Sequence, residues 1–338
     1  MKGTLISMLG AFIVSCSGCG GGGESSSQTQ TALPSPSIEV MSIEENPVMG
    51  RGPAGAWDSL DVLNPSVIEF NGDLINYYSG WDGKVWRTGY ASSLDNGKTW
   101  NRLPQPILDL TAWSVKYIAA NGSAIVNNGK VWYYWHGIDK NGSAQIGLST
   151  SDDGKTFTTL PNPVLSTDEN GAWDNLHVSD PYVIWDKDKW FMWYVNVSKD
   201  YKFTIGVATS KNGINWEKYF KPVLFVGEKG DWDEYSVGEP SVIYQAPYYY
   251  MIYTGANALH QRNIGWALST DGVKWIKRGP LISDSQRKSW NSQVNCDSTI
   301  MPTGKNDGTY YVWFGGGNQR QDGQDLNGQI GRMTIKIR

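Results

Sequence analysis

Asp180, Glu239 and Asp297 are the groups in this chain best placed to move protons, because each carboxyl occupies the same position in a repeating frame. Asn64, Asn121, Asp180, Glu239 and Asp297 follow Trp57, Trp113, Trp173, Trp232 and Trp290 by seven residues, or by eight in the second case. Three of them precede proline, in Asn64-Pro65-Ser66, Asp180-Pro181-Tyr182 and Glu239-Pro240-Ser241. Carboxyls gathered round one axis repel one another and lose water, a cost that points to a site rather than to a solvated rim. An anionic Asp180 nearby would favour the protonated form of Glu239, as a general acid working near neutral pH requires.

Positions that recur in this way need a scaffold with the same period. The tetrapeptides Asn46-Pro47-Val48-Met49, Gln105-Pro106-Ile107-Leu108, Asn162-Pro163-Val164-Leu165, Lys221-Pro222-Val223-Leu224 and Gly279-Pro280-Leu281-Ile282 set their prolines 59, 57, 59 and 58 residues apart. Residues 38–338 therefore read as five copies of one unit. Within a copy, short alternating runs rich in Val, Ile, Tyr and Trp are separated by Gly, Asn and Asp clusters, which is strand periodicity with turn punctuation. In the first copy the strands are expected at 62–70, 74–79, 86–92 and 99–103, with turns at Asn71-Gly72 and Asp95-Asn96-Gly97. Four antiparallel strands in each of five copies predict an all-β, five-bladed β-propeller.

Two further features fit that expectation. Residues 93–100 follow the Asp-box pattern S-x-D-x-G-x-T-W, 150–157 repeat it closely, and 209–216 and 269–275 are degenerate copies. Such a turn is structural, its carboxylate accepting turn amides and its aromatic ring plugging between blades. The last copy ends at Arg338 without an Asp-box, while 38–45 precede the first copy as a lone strand, so the amino-terminal strand is expected to complete the last blade and remove an exposed edge. Asn64, Asn121, Asp180, Glu239 and Asp297 would then start the innermost strands, at one mouth of the axial channel.

The strand starts Asn64-Pro65-Ser66, Asp180-Pro181 and Glu239-Pro240, with the Gly-x-x-Trp hairpins, resemble the five-bladed propeller glycoside hydrolases, the superfamily of families 43, 32, 68, 62, 117 and 130. The resemblance covers 38–338 and is nearest in motif layout to family 43, whose members invert arabinosides and xylosides. It implies that Glu239 is the catalytic acid and that Asp180 tunes its pKa and orients the sugar. It also implies a base or nucleophile at the position of Asn64, where an amide cannot take a proton from water. Three readings follow: another carboxylate among Asp58, Asp61, Asp82 and Asp297 serves as base, phosphate replaces water as in family 130, or the protein binds sugar without cleaving it. In an inverting site, acid and base stand roughly 6.5–9.5 Å apart to admit the water. No cofactor is required on this resemblance, although an axial calcium ion occurs in some relatives.

The mouth loops would complete the site. Trp81, Trp86, Arg87, His136, His260 and Arg262, with Asn121 and Asp297, are the expected oligosaccharide or polysaccharide contacts, joined on the loops by Asp139, Asn196, Asn257 and residues 315–329. His136, His177 and His260 are far apart without metal-ligand spacing, so no zinc site is expected. A net charge of −4 without a basic block argues against nucleic acid as partner. The domain is expected to work as a monomer.

Residues 1–15 combine Lys2, an apolar run from Leu5 to Val14 and the sequence Ile13-Val14-Ser15 before Cys16, the layout of a bacterial lipoprotein signal. Residues 16–37, rich in Gly, Ser, Gln and Thr, read as a tether, and Cys296 is left without a disulfide partner once Cys16 is lipidated. Each buried methylene of an acyl chain contributes about 0.8 kcal/mol, so a multiply acylated Cys16 would hold the protein on the cell envelope, at the outer membrane or cell surface. Cys16→Ala should shift the protein from the detergent phase to the aqueous phase of a Triton X-114 partition; unchanged partitioning would sink the lipid anchor.

Overall fold

The computed structural model describes residues 35–168, 171, 173–320 and 324–338. The leader, Cys16 and the tether through residue 34 lie outside the described residues. Among the described residues no helix is long and apolar enough to cross a membrane.

The described chain is all-β. After β1 (Ile38–Ile43), the first unit comprises β2 (Asp61–Phe70), β3 (Asp73–Trp81), β4 (Trp86–Ser93) and β5 (Asn101–Arg102). The second has β6 (Lys116–Asn127), β7 (Lys130–Ile138), β8 (Ala144–Ser151) and β9 (Thr158–Thr159), and the third β10 (His177–Asp186), β11 (Lys189–Val197), β12 (Phe203–Ser210) and β13 (Trp216–Lys218). The fourth is β14 (Ser236–Gln245), β15 (Tyr248–Ala256), β16 (Arg262–Ser269) and β17 (Ile276–Pro280); the last is β18 (Val294–Pro302), β19 (Thr309–Gly317) and β20 (Gln329–Ile337). Each unit is an antiparallel meander, and β1 pairs with β20 as the fourth strand of the last. Glu39, Glu44 and Glu45 hold that strand and its exit by ion pairs to Arg338, Arg332 and Lys288. The first strands touch in cyclic order, β2 with β6, β6 with β10, β10 with β14, β14 with β18 and β18 with β2.

The core lies between successive units. Phe70, Ile75 and Tyr77 of the first pack with Val131, Tyr133 and Trp135 of the second, and equivalent clusters follow round to Val62 and Tyr78 against Trp313 and Ile330. Each repeat tryptophan covers one sheet by lying over glycines. A Cβ on Gly80 or Gly89 would fall 2.3 or 2.6 Å from Trp57, and one on Gly255 or Gly265 would fall 2.4 Å from Trp232. The ring is then stacked by an aromatic of the second strand: Tyr78 on Trp57, Trp135 on Trp113, Tyr194 on Trp173, Tyr253 near Trp232 and Phe314 on Trp290.

The residue after the tryptophan ties down the outer strand. Asp58 accepts from Tyr78 Oη at 3.0 Å and pairs with Arg102 at 2.7 Å, and Asp233 accepts from Tyr253 Oη at 2.9 Å and pairs with Lys277 at 2.6 Å. Asp174 pairs with Lys218 likewise, while Ser114 and Asn291 replace the carboxylate in the second and last units.

The Asp-boxes link neighbouring units. Although burial opposes it, the Thr99 amide and the Ser93 hydroxyl lead the hydrogen bonds that hold Asp95 down to about 2. In the second copy the box carboxylate is Asp153 rather than Asp152, because its turn from Ser151 is one residue shorter than the turn from Ser93. Asn212 and Asp271 follow the same shorter turn. The box glycines then accept from the preceding unit: Gly154 O from Tyr77, Gly213 O from Tyr134, Gly272 O from Trp193, and Gly97 O from Trp313 of the last unit.

Asp233→Ala strands a buried tyrosine hydroxyl and frees Lys277 from its partner, and should cost about 3 kcal/mol in urea unfolding. Asp152→Ala, which breaks an exposed pair with Lys130, should leave stability nearly unchanged. Equal effects would mean that the Trp-Asp unit does not anchor the outer strand.

Candidate active site

Asn64, Asn121, Asp180, Glu239 and Asp297 do not start their strands, as the sequence spacing suggested; each stands within one, at a bulge. The registers slip between Leu63 and Ser66, Ala120 and Ser123, Ser179 and Tyr182, Gly238 and Ser241, and Cys296 and Thr299. Two residues on the first strand thus oppose one on the second, and that one is Tyr78, Trp135, Tyr194, Tyr253 or Phe314, the partner of the repeat tryptophan. All five site residues have φ between 46° and 52°. Asn and Asp tolerate this left-handed conformation, whereas Glu239 holds it at greater cost, of the kind retained where function uses it. The proline that follows three of them has no N–H to lose from the ladder.

The bulges bring the five residues together around an axial void of about 30 Å³, room for about one water. From there a cleft of about 560 Å³ opens between the second, third and fourth units, with Asp180 and Glu239 lining both spaces. Asn121 is fixed by Ser79, whose Oγ donates to its Oδ1 at 2.9 Å and accepts from its N–H at 3.0 Å. Its Nδ2 is thereby aimed at Asp180 Oδ1, 3.0 Å away. The amide expected to touch sugar therefore positions a carboxyl. On the other flank, the Asp297 N–H donates to Glu239 Oε2 at 3.2 Å and to Thr254 Oγ1 at 3.0 Å. Cys296 Sγ donates to Asp297 Oδ2 at 2.9 Å, while Asp297 Oδ1 is buried without a hydrogen-bond partner.

The electrostatics follow from this crowding. Burial first, and then the Glu239 carboxylate, push Asp180 up to about 7, against hydrogen bonds from Ser179 and Asn121 and the charge of Arg262. The same two causes hold Asp297 well above its ordinary range. The carboxyls raised here are thus Asp180 and Asp297. Arg262, at the start of β16, supplies the balancing positive charge to Glu239, Cys296 and Asp297. Donor atoms of Glu239, Cys296 and Asp297 lie within 4.8 Å of one another, close enough for one cation. Burial keeps the Cys296 thiol protonated, however, and Arg262 already faces the cluster, a poor fit to a metal.

Several expected contacts are elsewhere. Trp81 and Trp86 are buried and stacked on each other at 5.3 Å, with Trp81 Nε1 donating to Asp325, because they pair across the β3–β4 hairpin and pack against Ile118 of the second unit and Val294 and Leu326 of the last. Arg87 is held by Asp82 at 2.7 Å and Asp109 at 2.8 Å, a loop clamp. Asp58 belongs to its Arg102 pair, Asp61 accepts the amides of Asp325, Leu326 and Gly328, and Asp82 caps the amides of Lys84 and Val85, so none of these reaches the site. Asn196 spans Trp173 O and Thr204, and Asp139 and Asn257 close their own turns.

The cleft does gather His136, His177, His260 and Arg262, so the three histidines of the chain meet although nothing in their spacing announced it. His177 Nδ1 accepts from the Ala144 amide at 3.1 Å. Burial first, then His177, lowers His136 to about 3, so it is neutral, and both its ring nitrogens are without partners. Sequence reasoning missed Tyr201, Phe203 and Tyr235, which also line the cleft. The only signal was a tyrosine in the short turn between β11 and β12.

Two family models match the chain: the Glycosyl hydrolases family 32 N-terminal domain over residues 73–233, and beta-1,4-mannooligosaccharide phosphorylase over residues 190–322. An uncharacterized protein of Mycobacterium tuberculosis is 22% identical over 232 residues, 64% of this chain and 74% of its own. A beta-1,2-mannobiose phosphorylase of Thermoanaerobacter sp. is 36% identical over 113 residues, 29% of this chain and 37% of its own. A solved structure of the family 130 mannoside phosphorylases, a family said to contain glycoside hydrolases that target β-1,2-mannosidic linkages in Candida mannan, superposes with a TM-score of 0.70. Its identity is 16%, over 88% of this chain and 93% of its own.

Between about pH 4 and 7 the folded chain keeps a proton on Asp180 that the unfolded chain, titrating near 3.8, has released. The folded state therefore binds more protons in that window and loses stability as pH rises through it. Asp180→Asn removes the penalty. The variant should be more stable than the parent at pH 8, with the difference closing by pH 4 in urea midpoints measured across the series; a difference independent of pH would refute the assignment.

Proposed function

We propose that this chain, which these matches support as a member of the propeller-type glycoside hydrolase superfamily, cleaves glycosidic bonds in the cleft floored by Asp180 and Glu239. We read its five meanders as the blades of a closed five-bladed propeller, with the amino-terminal strand completing the last. What carries the functional reading is the convergence of two carboxyls from separate units on both the axial void and the cleft, with Arg262 beside them. In this reading Glu239 protonates the departing glycosidic oxygen, while Asp180, held by Asn121, orients the sugar and shares the proton load of the pair. β-Mannosides are the first substrates to try, because that is the sugar named for the matched phosphorylase model, for the Thermoanaerobacter relative and for the superposed family 130 structure. The lipoprotein leader supports a place on the cell envelope, where such a glycan would be met.

The attacking group separates two versions of the chemistry. Water attacking from the far face needs a base, and Asn64 holds an amide in the slot where the superfamily places one. Phosphate brings its own negative charge and needs no base. Arg262 on the cleft wall, a fixed positive charge, favours phosphorolysis as the second reading. Either version leaves the proton transfer to the leaving group with Glu239.

Glu239→Gln should lower turnover of p-nitrophenyl β-mannoside and β-1,2- and β-1,4-mannobiose by at least about 100-fold while sugar binding persists. Turnover that rises saturably with inorganic phosphate and yields a sugar 1-phosphate assigns phosphorolysis. Turnover indifferent to phosphate assigns hydrolysis. Sugar binding without product in either buffer overturns the catalytic reading.

A further inference from the structure

The cleft has two chemically different ends. Its floor carries Asp180, Glu239 and Arg262, and its lip carries the rings of Tyr201, Phe203 and Tyr235. Tyr201 is presented by a tight turn in which its N–H donates to Ser198 O at 2.8 Å and the Ser198 N–H donates to Lys202 O at 3.2 Å. It sits at a φ of 56°, and its side chain is left largely in solvent, at 74% relative exposure. Tyr235 stands across the lip, half-exposed, with its ring 6.4 Å from Phe203 and 4.2 Å from His260. Large aromatic rings kept in water at the edge of a cleft are amphipathic platforms, with a π-face for apolar C–H groups and a hydroxyl for polar ones.

We propose that Tyr201 and Tyr235 form a second sugar subsite, which takes the face of a neutral pyranose ring one unit beyond the bond that Glu239 and Asp180 address. This rests on reading the floor as the glycan-cleaving site. The occupant is a sugar of the same chain, because the lip is continuous with the carboxyl floor in a single cleft. It is neutral, because among the residues that line the cleft the carboxyls and the guanidinium are those of the floor, Asp180, Glu239 and Arg262, while Tyr201 and Tyr235 offer aromatic faces and hydroxyls. The protein would then prefer oligosaccharides to single glycosides. Phe203, behind Tyr235, sets the tilt of that ring and does not itself need to meet the sugar.

The test measures binding, so that it does not depend on turnover. Full-length parent, Tyr201→Ala, Tyr201→Phe and Tyr235→Ala, each in a Glu239→Gln background, are titrated calorimetrically with mono-, di- and trisaccharides of the manno-, xylo-, arabino-, gluco- and galacto- series. The parent should gain affinity from monosaccharide to trisaccharide in the series it prefers. Each alanine variant should lose about three- to tenfold of that gain while monosaccharide affinity holds, and Tyr201→Phe should retain most of it. Length-independent binding in the parent, unchanged gain in both alanine variants, or binding of no saccharide in the panel would each overturn the subsite. Affinity that rises with length in the Glu239→Gln parent, together with no turnover of the same saccharides by the protein that keeps Glu239, would leave the subsite standing and remove the catalytic reading.

Discussion

The two-against-one bulge in each first strand is the constraint on which the site depends. A side chain in a regular strand alternates between faces, and no register of a flat meander would point the same position of five strands at one axis. The bulge opposes one aromatic residue with two, and that aromatic is itself locked, packed against a tryptophan that lies over glycines. Displacing the ring would drive it into a backbone only a Cβ away, so the register cannot drift. The residue released from pairing adopts a left-handed conformation and turns inward. The position of Glu239 is therefore secured by Trp232 and Tyr253, neither of which lines the void or the cleft.

The same logic explains why the outer ends of the units are fixed by charge and the inner ends by sterics. Asp58, Asp174 and Asp233 sit almost fully buried beside the tryptophan, each paired to a cation on an outer strand that water still reaches. Such pairs resist the peeling of a short fourth strand, which has few ladder hydrogen bonds of its own. Ser114 and Asn291 show that the carboxylate can be spared where other contacts hold the edge, as β1 does for the last unit. Box glycines then join each of the first four units to the one before it, the first unit reaching back to Trp313 of the last.

Much of this was legible in the sequence because it is periodic. The Pro-x-x spacing, the tryptophans and the Asn-Gly turns report local structure, and the strands fell within a residue or two of where they were expected, from Asp61–Phe70 to Trp86–Ser93. The convergent positions were legible for the same reason, although their bulged geometry was not, since a register slip leaves no mark beyond the proline that follows it. What periodicity could not give was the fate of residues on irregular loops. Trp81 and Trp86 are as suited to a sugar as Tyr201, yet two rings adjacent across a hairpin satisfy each other and bury. The tyrosine on a turn too short to fold over it stays in water. Which units open into a cleft, and hence that three distant histidines meet, depends on loop packing rather than on the repeat.

The amides at Asn64 and Asn121 take on a different meaning once the charges are counted. Five carboxyls around a void of about 30 Å³ would leave most of them protonated by mutual repulsion, and the protein faces that cost already with three, where Asp180 and Asp297 both retain protons far above their ordinary range. Amides relieve it twice over. Asn121 removes one charge and donates to the carboxyl beside it, while Asn64 removes another from the same ring. Arg262 offsets the flank where Glu239 and Asp297 meet, the flank without an amide. An amide in the first slot, which looks like a missing catalytic group when read alone, is also what lets the remaining acids share a narrow axis, with Asp180 raised only to about 7. In the glycan-cleaving reading we propose, whatever attacks the sugar would therefore bring its own nucleophilicity or draw a base from the cleft wall, because the axis has no room for another charge.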